Sequence, residues 1–247
     1  DEKSGGEYGL SRVAMFVEPT NLCNLRCIMC NHGDNSFKRG LGVMKFKDFQ
    51  KISSEIKSEN IKLWEFAPFW LGETFIHPQI GDFIKETNIL KDEYNAMKHY
   101  NIHTNGANLS PKHIKMIAES SMNSILFSID AATEETYKKI RRGGNFNKLV
   151  NSVEELNKIK KELKKNYPAI ITQFILMDEN EHEIRDFYEF WKKRGIKKLI
   201  YAATEKDNPF KDVNIEHDLL FPQTPVDSVF IKSLEPNALT KSQTHRE

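Results

Sequence analysis

The stretch Pro19-Thr20-Asn21-Leu22-Cys23-Asn24-Leu25-Arg26-Cys27-Ile28-Met29-Cys30 contains all three cysteines of the 247-residue chain. Their spacing is Cys-x3-Cys-x2-Cys, and because three is an odd number on a tight loop, it is not a disulfide framework. Three thiolates on one short loop form a soft ligand set that suits an iron–sulfur cluster or zinc. In a four-iron cluster, three cysteines anchor three irons and leave the fourth open to bind a small molecule.

The motif formed by Cys23, Cys27 and Cys30, which follows the apolar run 13–17, resembles the signature of the radical SAM superfamily. The resemblance implies that the thiolates hold a [4Fe-4S] cluster whose open iron chelates the amino and carboxylate groups of S-adenosylmethionine (SAM). It also implies reductive cleavage of SAM to a 5′-deoxyadenosyl radical, which abstracts hydrogen from a peptide, a sugar or another metabolite. The electron would come from a reductase such as flavodoxin or ferredoxin.

Two alternatives use the same cysteines. In the first, His32 is a fourth ligand, and Cys23, Cys27 and Cys30 bind zinc in a non-catalytic interaction module. Zinc sites usually split their ligands into two pairs across a longer loop, so the compact spacing favours the cluster. In the second, the protein keeps its cluster but serves as a maturation partner or chaperone.

The composition argues against several classes of protein. The formal net charge is +1, so no strong field attracts nucleic acid or acidic lipid, and we expect neither as a partner. No apolar run approaches the about 18–20 residues of a membrane span, and no signal peptide opens the chain. Unpaired cysteines in this pattern indicate a reducing compartment, so we expect a cytoplasmic protein.

Short apolar runs alternate with longer amphipathic segments along the chain. Continuous apolar strands are typical of parallel sheets covered on both faces, and right-handed crossovers curl such units into an open barrel. We therefore predict an α/β fold, a partial (β/α)6 TIM-type barrel over residues 13–203, which the superfamily resemblance also implies. The predicted strands lie within 13–17, 61–70, 100–104, 124–130, 169–177 and 196–202.

Apolar residues at helical spacing, and capping residues, predict helices between these runs. Two predicted helices cover residues 45–57 and 181–194. Three more begin near Pro78, at Ser110-Pro111 and at about Asn145. We expect residues 1–12 to be an N-terminal tail and 204–247 to be a short C-terminal extension, cut from a longer chain. Within that extension, residues 219–221 and 229–231 are apolar enough to cover an edge of the barrel.

The loop after the second strand reads Leu71-Gly72-Glu73-Thr74 and is similar to the Gly-Gly-Glu-Pro motif of the superfamily, with Leu71 and Thr74 as departures. The similarity implies that the Gly72 backbone and Glu73 bind the amino group of SAM. A carboxylate and backbone carbonyls can accept the N–H groups that an iron-bound amine retains. The alternative is that Glu73 is an acid at a helix N-terminus, where it interacts favourably with the dipole.

After the fourth strand, the segment from Ser128 to Phe146 is similar to the SPASM-type branch of the superfamily. That similarity implies that Ser128 contacts SAM and that Arg141 binds its carboxylate, for which a planar guanidinium is suited. The alternative for Arg141 and Arg142 is a solvated helix end, where positive charge interacts favourably with the C-terminal dipole. The branch carries further cysteines after its barrel, and none follows Cys30 here. Either an auxiliary domain has been removed, which we expect, or the protein works with one cluster.

The catalytic residues are not identified by any motif, and three candidates come from strand ends. Asp130 would bind substrate or cap the next helix. His103 would face the barrel interior as a proton relay or be a hydrogen-bonded structural residue, and Tyr201 would enter the substrate cavity. Met177, by analogy with relatives, would lie beside the adenine of SAM, although a methionine is also a common gap-filler in cores.

Overall fold

The computed structural model describes residues 13–201 and 227–233, and within them parallel strands alternate with helices. The strands are β1 (Ala14–Phe16), β2 (Leu63–Ala67), β3 (Met97–Thr104), β4 (Ser124–Ser128), β5 (Ala169–Leu176), β6 (Lys198–Tyr201) and β7 (Ser228–Ser233). The helices are α1 (Phe46–Ser58), α2 (Ile80–Asp92), α3 (Pro111–Glu119), α4 (Glu134–Ile140), α5 (Phe146–Glu162) and α6 (Ile184–Lys193). The predicted α/β architecture with parallel strands is confirmed.

The strands form one open sheet in the order β1-β2-β3-β4-β5-β7-β6. The first five strands are neighbours in chain order, and every described pair is parallel. The carboxyl ends of these strands therefore meet at one edge, where chemistry gathers in parallel α/β folds. The loop after β1, which carries the three cysteines, lies at this edge.

Strand β7 differs from our expectation. We predicted that residues 229–231 would cover the edge of a six-stranded barrel, but β7 pairs with both β5 and β6 inside the sheet. Phe230 packs with Leu126 and Ile171, whereas Ile231 belongs to the main core. Such burial is typical of an interior strand of a parallel sheet. A three-residue apolar run does not reveal which strands it pairs with, so the position of β7 between β5 and β6 could not be predicted from the sequence.

The predicted tail, residues 1–12, lies outside the described residues, as do residues 202–226 and 234–247 of the predicted extension. None of the helices in the described part of the chain is long and apolar enough to cross a membrane.

A cluster of aromatic rings fixes α1 and α2 to the sheet. Phe49, Phe66 and Phe83 are fully buried. The ring centroids of Phe49 and Phe83 are 4.8 Å apart, and those of Phe49 and Phe66 are 6.1 Å apart. Truncating a buried phenylalanine to alanine typically costs about 3–5 kcal/mol. The cluster therefore holds the helices that follow the loops after β1 and β2.

Local capping signals explain where two of the helices begin. The Ser110 hydroxyl accepts a hydrogen bond from the His113 amide at 3.2 Å, and Pro111 occupies the first helical position of α3. The Asn145 side chain accepts one from the Lys148 amide at 2.9 Å at the start of α5. The predicted starts of both helices are confirmed.

The alternatives considered for Asp130 and Arg141 assumed a helix between these residues, but the bounds of α4 were not predicted, although the sequence contains a signal for its start. Thr133 is its N-cap, and two ion pairs of i,i+4 spacing lie on its surface. They join Glu134 to Lys138 at 2.7 Å and Glu135 to Lys139 at 2.8 Å. Each such pair stabilises an isolated helix by about 0.2–0.5 kcal/mol, which supports a helix as short as this one.

Glu183 ties the segment before α6 to the loop after β4. Its buried carboxylate accepts hydrogen bonds from the Ala132 amide at 2.7 Å and from the hydroxyls of Thr133 and Thr136 at 2.5 and 2.6 Å. Burial raises the pKa of Glu183, but the hydrogen bonds outweigh burial, so its pKa lies below the ordinary glutamate value. The ionised carboxylate therefore joins the loops after β4 and β5.

We expect Glu183→Gln to lower the free energy of unfolding at pH 7 by about 1–3 kcal/mol, because it leaves buried donors without their anionic acceptor. The folded-state pKa of Glu183 is depressed, so its contribution is present above the unfolded-state pKa and is lost as pH falls through the folded-state pKa. The difference between wild type and variant should shrink below about pH 4. Urea unfolding followed by circular dichroism at several pH values measures it.

Glu189→Gln on α6 is the matched control. Glu189 is exposed and pairs with Lys192 at 3.1 Å. Its replacement should change the free energy of unfolding by less than about 1 kcal/mol. A Glu183→Gln effect no larger than that of the control would contradict the role assigned to Glu183.

Candidate functional site

The cysteine loop is anchored on one side to the end of α4. The Arg26 amide donates a hydrogen bond to the Arg142 carbonyl at 2.8 Å, and the Ile28 amide donates one to the Ile140 carbonyl at 3.0 Å. These backbone bonds flank Cys27 in the sequence. The position of the middle cysteine therefore depends on the segment that ends α4.

On its other side, the cysteine loop touches the loop after β2. The Glu73 amide donates a hydrogen bond to the Leu22 carbonyl at 2.8 Å. A Cβ atom at position 72 would lie 2.0 Å from the Thr20 carbonyl oxygen and 2.7 Å from the Asn21 Cα, closer than real Cβ contacts allow. Only a glycine lets the two backbones approach this closely.

A cavity of about 160 Å³ lies between these loops and the loops after β3 and β4. It brings together most of the residues that the sequence nominated from separate strand ends. Those that line it are Cys23, Cys27, Cys30, Gly72, Glu73, His103, Ser128 and Arg141. Asp130 and Met177 do not line it, and the side chain of Tyr201, the last residue of β6, lies outside the described part of the structure.

Glu73 is a buried carboxylate at the wall of the cavity. It accepts hydrogen bonds from the Thr104 hydroxyl at 2.7 Å, the Asn105 amide at 2.6 Å and the Phe75 amide at 3.2 Å. Burial raises the pKa of Glu73, and the hydrogen bonds oppose that rise. The bond from Phe75 also makes Glu73 the cap of a single helical turn, Thr74–Ile76. A carboxylate has about four acceptor positions, so one remains for a further donor.

Arg141 is the C-cap of α4, so it does lie at a helix end, but its side chain is buried against Asp130 and not solvated, whereas the Arg142 side chain is exposed. The Nε of Arg141 donates to Asp130 Oδ2 at 2.7 Å, its Nη2 contacts the same oxygen, and its Nη1 lies 3.5 Å from Cys27 Sγ. Burial lowers the pKa of Arg141, but Asp130 and Cys27 outweigh burial and hold that pKa above the ordinary arginine value. The guanidinium is therefore a fixed positive charge beside the middle cysteine.

Asp130 does not cap α4, and it does not line the cavity where a substrate would bind. Thr133, not Asp130, caps α4. The carboxylate of Asp130 is fully buried, and its Oδ1 accepts a hydrogen bond from the Ile175 amide at 2.8 Å while Oδ2 holds Arg141. Both oxygens of Asp130 are thus engaged by protein groups, and its carboxylate orients Arg141 and does not line the cavity.

Asn180, which the sequence analysis missed, holds Asp130 in place. Its fully buried Nδ2 donates to the carbonyls of Asp130 and Ile175, each at 2.9 Å. Its Oδ1 accepts a hydrogen bond from the Met177 amide at 2.8 Å. Met177 thus takes part in this turn through its backbone. No local pattern singles out Asn180, because its partners lie on two different strand ends.

Asn105 connects the loop after β3 to the cysteine loop. It donates from Nδ2 to Asn24 Oδ1 at 2.9 Å, and the same Nδ2 lies 4.0 Å from Cys23 Sγ. His103 stacks on Phe69 with ring centroids 3.9 Å apart, and both rings line the cavity. His103 therefore faces the cavity, and its role as a proton relay stays a prediction.

The donor set and its surroundings fit an iron–sulfur cluster. Burial raises the pKa of Cys23 to about 11 and also raises that of Cys27, although Arg141 opposes the rise at Cys27. Buried thiols of this kind ionise readily only beside a compensating positive charge, which iron supplies. In a cluster each thiolate binds its own iron, so three sulfurs around one cavity suffice.

The zinc alternative fits less well. A single zinc ion needs its ligand atoms within about 2.3 Å of one point. Among residues 13–201 and 227–233, no three side chains of His, Cys, Asp or Glu are arranged to hold one metal ion. His32, the fourth ligand of that alternative, stacks on Phe37 with centroids 4.3 Å apart and does not line the cavity.

The fold and the cavity define a parallel α/β protein that carries a three-cysteine cluster loop at the carboxyl ends of its strands. Residues 17–190 match the family model described as the Radical SAM superfamily. The chain belongs to this superfamily of enzymes, whose cofactors are a [4Fe-4S] cluster and SAM. The resemblance identified from the cysteine spacing is confirmed.

Two curated relatives illustrate the range of the similarity. The GTP 3′,8-cyclase of Clostridium perfringens (strain SM101 / Type A) is 29% identical over 196 residues, which cover 79% of this chain and 55% of the cyclase. The tungsten-containing aldehyde ferredoxin oxidoreductase cofactor-modifying protein of Pyrococcus furiosus is 25% identical over 219 residues, which cover 86% of this chain and 57% of the relative. The chain thus spans about half the length of these curated relatives.

Solved structures share the fold. Streptococcus suis SuiB bound to its precursor peptide SuiA superposes with a TM-score of 0.63 at 13% identity, covering 94% of this chain and 51% of SuiB. Native anSMEcpe with bound AdoMet gives a TM-score of 0.59 at 20% identity, covering 76% of this chain and 51% of anSMEcpe. These radical SAM structures confirm the predicted partial TIM-type barrel.

We expect Cys23→Ser, Cys27→Ser and Cys30→Ser each to lower the iron content after anaerobic reconstitution from about four irons per chain to below about one. The reason is that each thiolate anchors one iron. Iron, sulfide and zinc assays on the purified proteins measure the outcome, with circular dichroism as a check of folding.

Met29→Leu is the matched control within the same loop, because leucine conserves the volume and methionine is not among the predicted ligands. It should retain the iron content of the wild type. One equivalent of zinc without iron in the reconstituted wild type would contradict the cluster assignment and favour the zinc module.

Proposed function

We propose that this chain is the catalytic barrel of an enzyme that cleaves SAM reductively and abstracts hydrogen from a peptide, a sugar or another metabolite. One observation carries the proposal. The three cysteines line the same cavity as Glu73, Ser128 and Arg141, which can bind the amino acid part of SAM. Cluster ligands and SAM-binding groups come from separate loops, so their meeting at one cavity is not a consequence of sequence proximity.

The cluster and SAM, when bound, supply a 5′-deoxyadenosyl radical as the hydrogen acceptor. The residues of this chain bind and orient these groups. We assign Cys23, Cys27 and Cys30 to the three anchored irons. A cluster held by these residues would keep its fourth iron open for SAM, which the cavity would accommodate.

We assign Glu73 to the amino group of SAM. Three of its acceptor positions are engaged by Thr104, Asn105 and Phe75, which fix the carboxylate in one orientation. The remaining position suits an N–H donor from the cavity. The Gly72 backbone, pressed against the cysteine loop, lies next to it and supports the same assignment.

We assign Arg141 and Ser128 to the carboxylate of SAM. Asp130 holds Nε and Nη2 of Arg141, which leaves further N–H groups of the guanidinium for an acceptor in the cavity. Ser128 is the last residue of β4 and lines the same cavity. A guanidinium that is already oriented loses little conformational freedom on binding a carboxylate.

Apolar residues complete the cavity wall and would exclude water from a reactive species. Leu25, Phe69 and Leu71 line it, and Trp70, which is 57% exposed, stands where the wall meets the solvent. Tyr201 remains a candidate for the substrate side of the barrel, and Met177 for the adenine side.

The names of the relatives support a small-molecule or peptide substrate. They include a GTP cyclase and a cofactor-modifying protein, and one structural neighbour is bound to a precursor peptide. A flavodoxin or ferredoxin would supply the electron. The three free cysteines suit a reducing compartment, and we propose the cytoplasm.

The test of this function is the formation of 5′-deoxyadenosine by the full chain after anaerobic reconstitution, with dithionite as reductant. Wild type should form it, and Cys27→Ala should form at least about 100-fold less, because the cluster lacks an anchor. Liquid chromatography quantifies the product. Equal rates in wild type and Cys27→Ala would overturn the proposal, and Met29→Leu is the control for changes in this loop.

Arg141→Lys should weaken SAM binding about tenfold, because lysine keeps the charge but lacks the fork that binds a carboxylate through two parallel hydrogen bonds. Equilibrium dialysis of the reconstituted protein measures the Kd, after the iron content has been matched to that of the wild type.

Arg142→Lys is the control for the Arg141 substitution. Arg142 is the next residue, but its side chain is exposed and outside the cavity lining. Its Kd for SAM should equal that of the wild type. An unchanged Kd in Arg141→Lys would remove Arg141 from the proposed binding site.

A further inference from the structure

The strands present their side chains alternately to two faces of the sheet. Ile125 packs in the main core together with residues of the helices, whereas the next residue, Leu126, packs with Ile171 and Phe230 in a small separate cluster. We call the side of the sheet that carries this second cluster the inner face. Ser128, two residues after Leu126 in β4, lies on the same face and lines the cavity that contains the cysteines.

Glu65 is the only acidic residue in the described strands β1 to β5. Its Oε1 accepts a hydrogen bond from Asn101 Nδ2 at 3.1 Å. Asn101 lies two residues before His103 in β3, and His103 lines the cavity, so both side chains belong to the inner face. The carboxylate of Glu65, which contacts Asn101, therefore lies on the inner face as well.

A chain of hydrogen bonds holds the Glu65 carboxylate in one orientation. The Ser124 hydroxyl donates to Asn101 Oδ1 at 2.7 Å, which directs Asn101 Nδ2 towards Glu65. Glu65 itself is only 7% exposed. Within residues 13–201 and 227–233, its Oε2 receives no hydrogen bond and its carboxylate forms no ion pair. One oxygen of a fixed, buried carboxylate is thus available to a ligand.

The negative charge of Glu65 has no counterpart in the part of the chain that the structure describes. Burial raises the pKa of Glu65, the hydrogen bond from Asn101 opposes that rise, and no positively charged group contributes. In contrast, the buried carboxylate of Asp130 is paired with Arg141. A buried charge without a partner is costly, and proteins normally pair such charges. The inner face therefore has a place for a positive charge beside Glu65.

The inner face next to Glu65 is open towards the cavity. Ala14 is the partner of Glu65 in the pairing of β1 with β2, and Phe16 lies two residues further along β1, on the same face. Phe16 is 47% exposed. Its ring centroid is 5.2 Å from that of Trp70 and 6.0 Å from that of Phe69, and both of these residues line the cavity. A molecule that contacts Glu65 can therefore extend along this surface into the cavity.

The chemistry of this place selects the group that would occupy it. An ionised carboxylate only accepts hydrogen bonds, and an ammonium group offers three donors together with the missing positive charge. A hydroxyl group would leave the charge uncompensated, and an anion would be repelled. Two residues along a strand span about 7 Å, so an ammonium group at Glu65 would lie about that far from the level of His103. The reacting carbon of the same molecule would then lie nearer to the cavity.

We propose that Glu65, oriented by Asn101, binds an ammonium group of the substrate, so that the substrate of this enzyme is an amine-bearing molecule. No bond is formed or broken at Glu65, which acts as a binding residue. This inference rests on the proposed function and names the substrate class for the same site.

The probes are two matched pairs of compounds that differ in an ammonium group. Nα-acetyl-lysine amide is compared with Nα-acetyl-norleucine amide, and glucosamine with glucose, to represent a peptide side chain and an amino sugar. Isothermal titration calorimetry measures their binding to the full, reconstituted chain with SAM, at constant ionic strength. In at least one pair, the ammonium compound should bind at least about tenfold more tightly, as expected of a hydrogen bond between charged groups. The pair that shows this preference identifies the source of the amine.

Glu65→Gln removes the charge and keeps an oxygen that can accept the hydrogen bond from Asn101. In this variant, the preference for the ammonium compound should fall below about twofold, because the charged partner is gone. The neutral compound of the pair should bind as it does to the wild type, which separates loss of charge recognition from collapse of the site.

Glu93→Gln is the matched control, since it makes the same chemical change at an exposed position that ends α2. It should keep the preference of the wild type. An equal loss in this variant would show that net charge, and not the inner face, attracts the cation, and would overturn the proposal.

A purely structural role of Glu65 predicts a different effect on stability. Because Glu65→Gln removes an uncompensated buried charge, the Tm of the reconstituted chain without probe should be unchanged or higher. A Tm lowered by more than about 5 °C would assign Glu65 to the fold and would overturn the proposal.

Two other results would also overturn it. One is a wild type that binds neither ammonium compound more tightly than its neutral counterpart. The other is an unchanged preference in Glu65→Gln, which would place the cation elsewhere. A wild type that forms no 5′-deoxyadenosine with dithionite would instead refute the proposed function, so the two failures are distinguishable.

Discussion

The buried ion pair between Asp130 and Arg141 is the interaction on which the site depends. Removing either partner of such a pair leaves an uncompensated buried charge, at a cost of about 3–5 kcal/mol. Asp130 is held by the Ile175 amide and by Asn180, and Arg141 reaches Cys27. One pair of charges therefore joins the loops after β4 and β5 to the cluster loop. The arrangement fixes a positive charge beside a cysteine before any cofactor is bound.

The features that could be predicted from the sequence depend on residues that lie close together in the chain. The spacing of Cys23, Cys27 and Cys30 is contained in eight consecutive residues, and apolar runs mark parallel strands without reference to their partners. Helix caps at Ser110 and Asn145 act within three residues. Because the carboxyl ends of parallel strands lie at one edge of the sheet, Gly72, Glu73, His103, Ser128 and Arg141 line one cavity although they come from separate strand ends, whereas Asp130 and Met177 do not line it.

The features that were missed depend on contacts between distant parts of the chain. Asn105 binds Asn24 across 81 residues, and Glu183 accepts its hydrogen bonds from residues 47 to 51 positions away. An asparagine or a glutamate after a strand looks the same whether it faces solvent or an internal donor. Asp130 illustrates the point, since its burial and its pairing with Arg141 follow from the packing of three loops. The position of β7 between β5 and β6 is another case, because strand order is a property of the sheet and not of any segment.

The close contact between the backbones of Gly72 and the cysteine loop affects how a glycine at this position is interpreted in other chains. The absent side chain is required by the Thr20 carbonyl and the Asn21 backbone, which belong to the protein itself. A descendant that lost its cysteines and its chemistry, but kept the two loops in contact, would still be under selection to retain this glycine. Glycine at this position is thus a marker of ancestry and loop geometry. Glu73 serves the fold in a similar way through its bonds to Thr104, Asn105 and Phe75, so only its remaining acceptor position is available to the reaction.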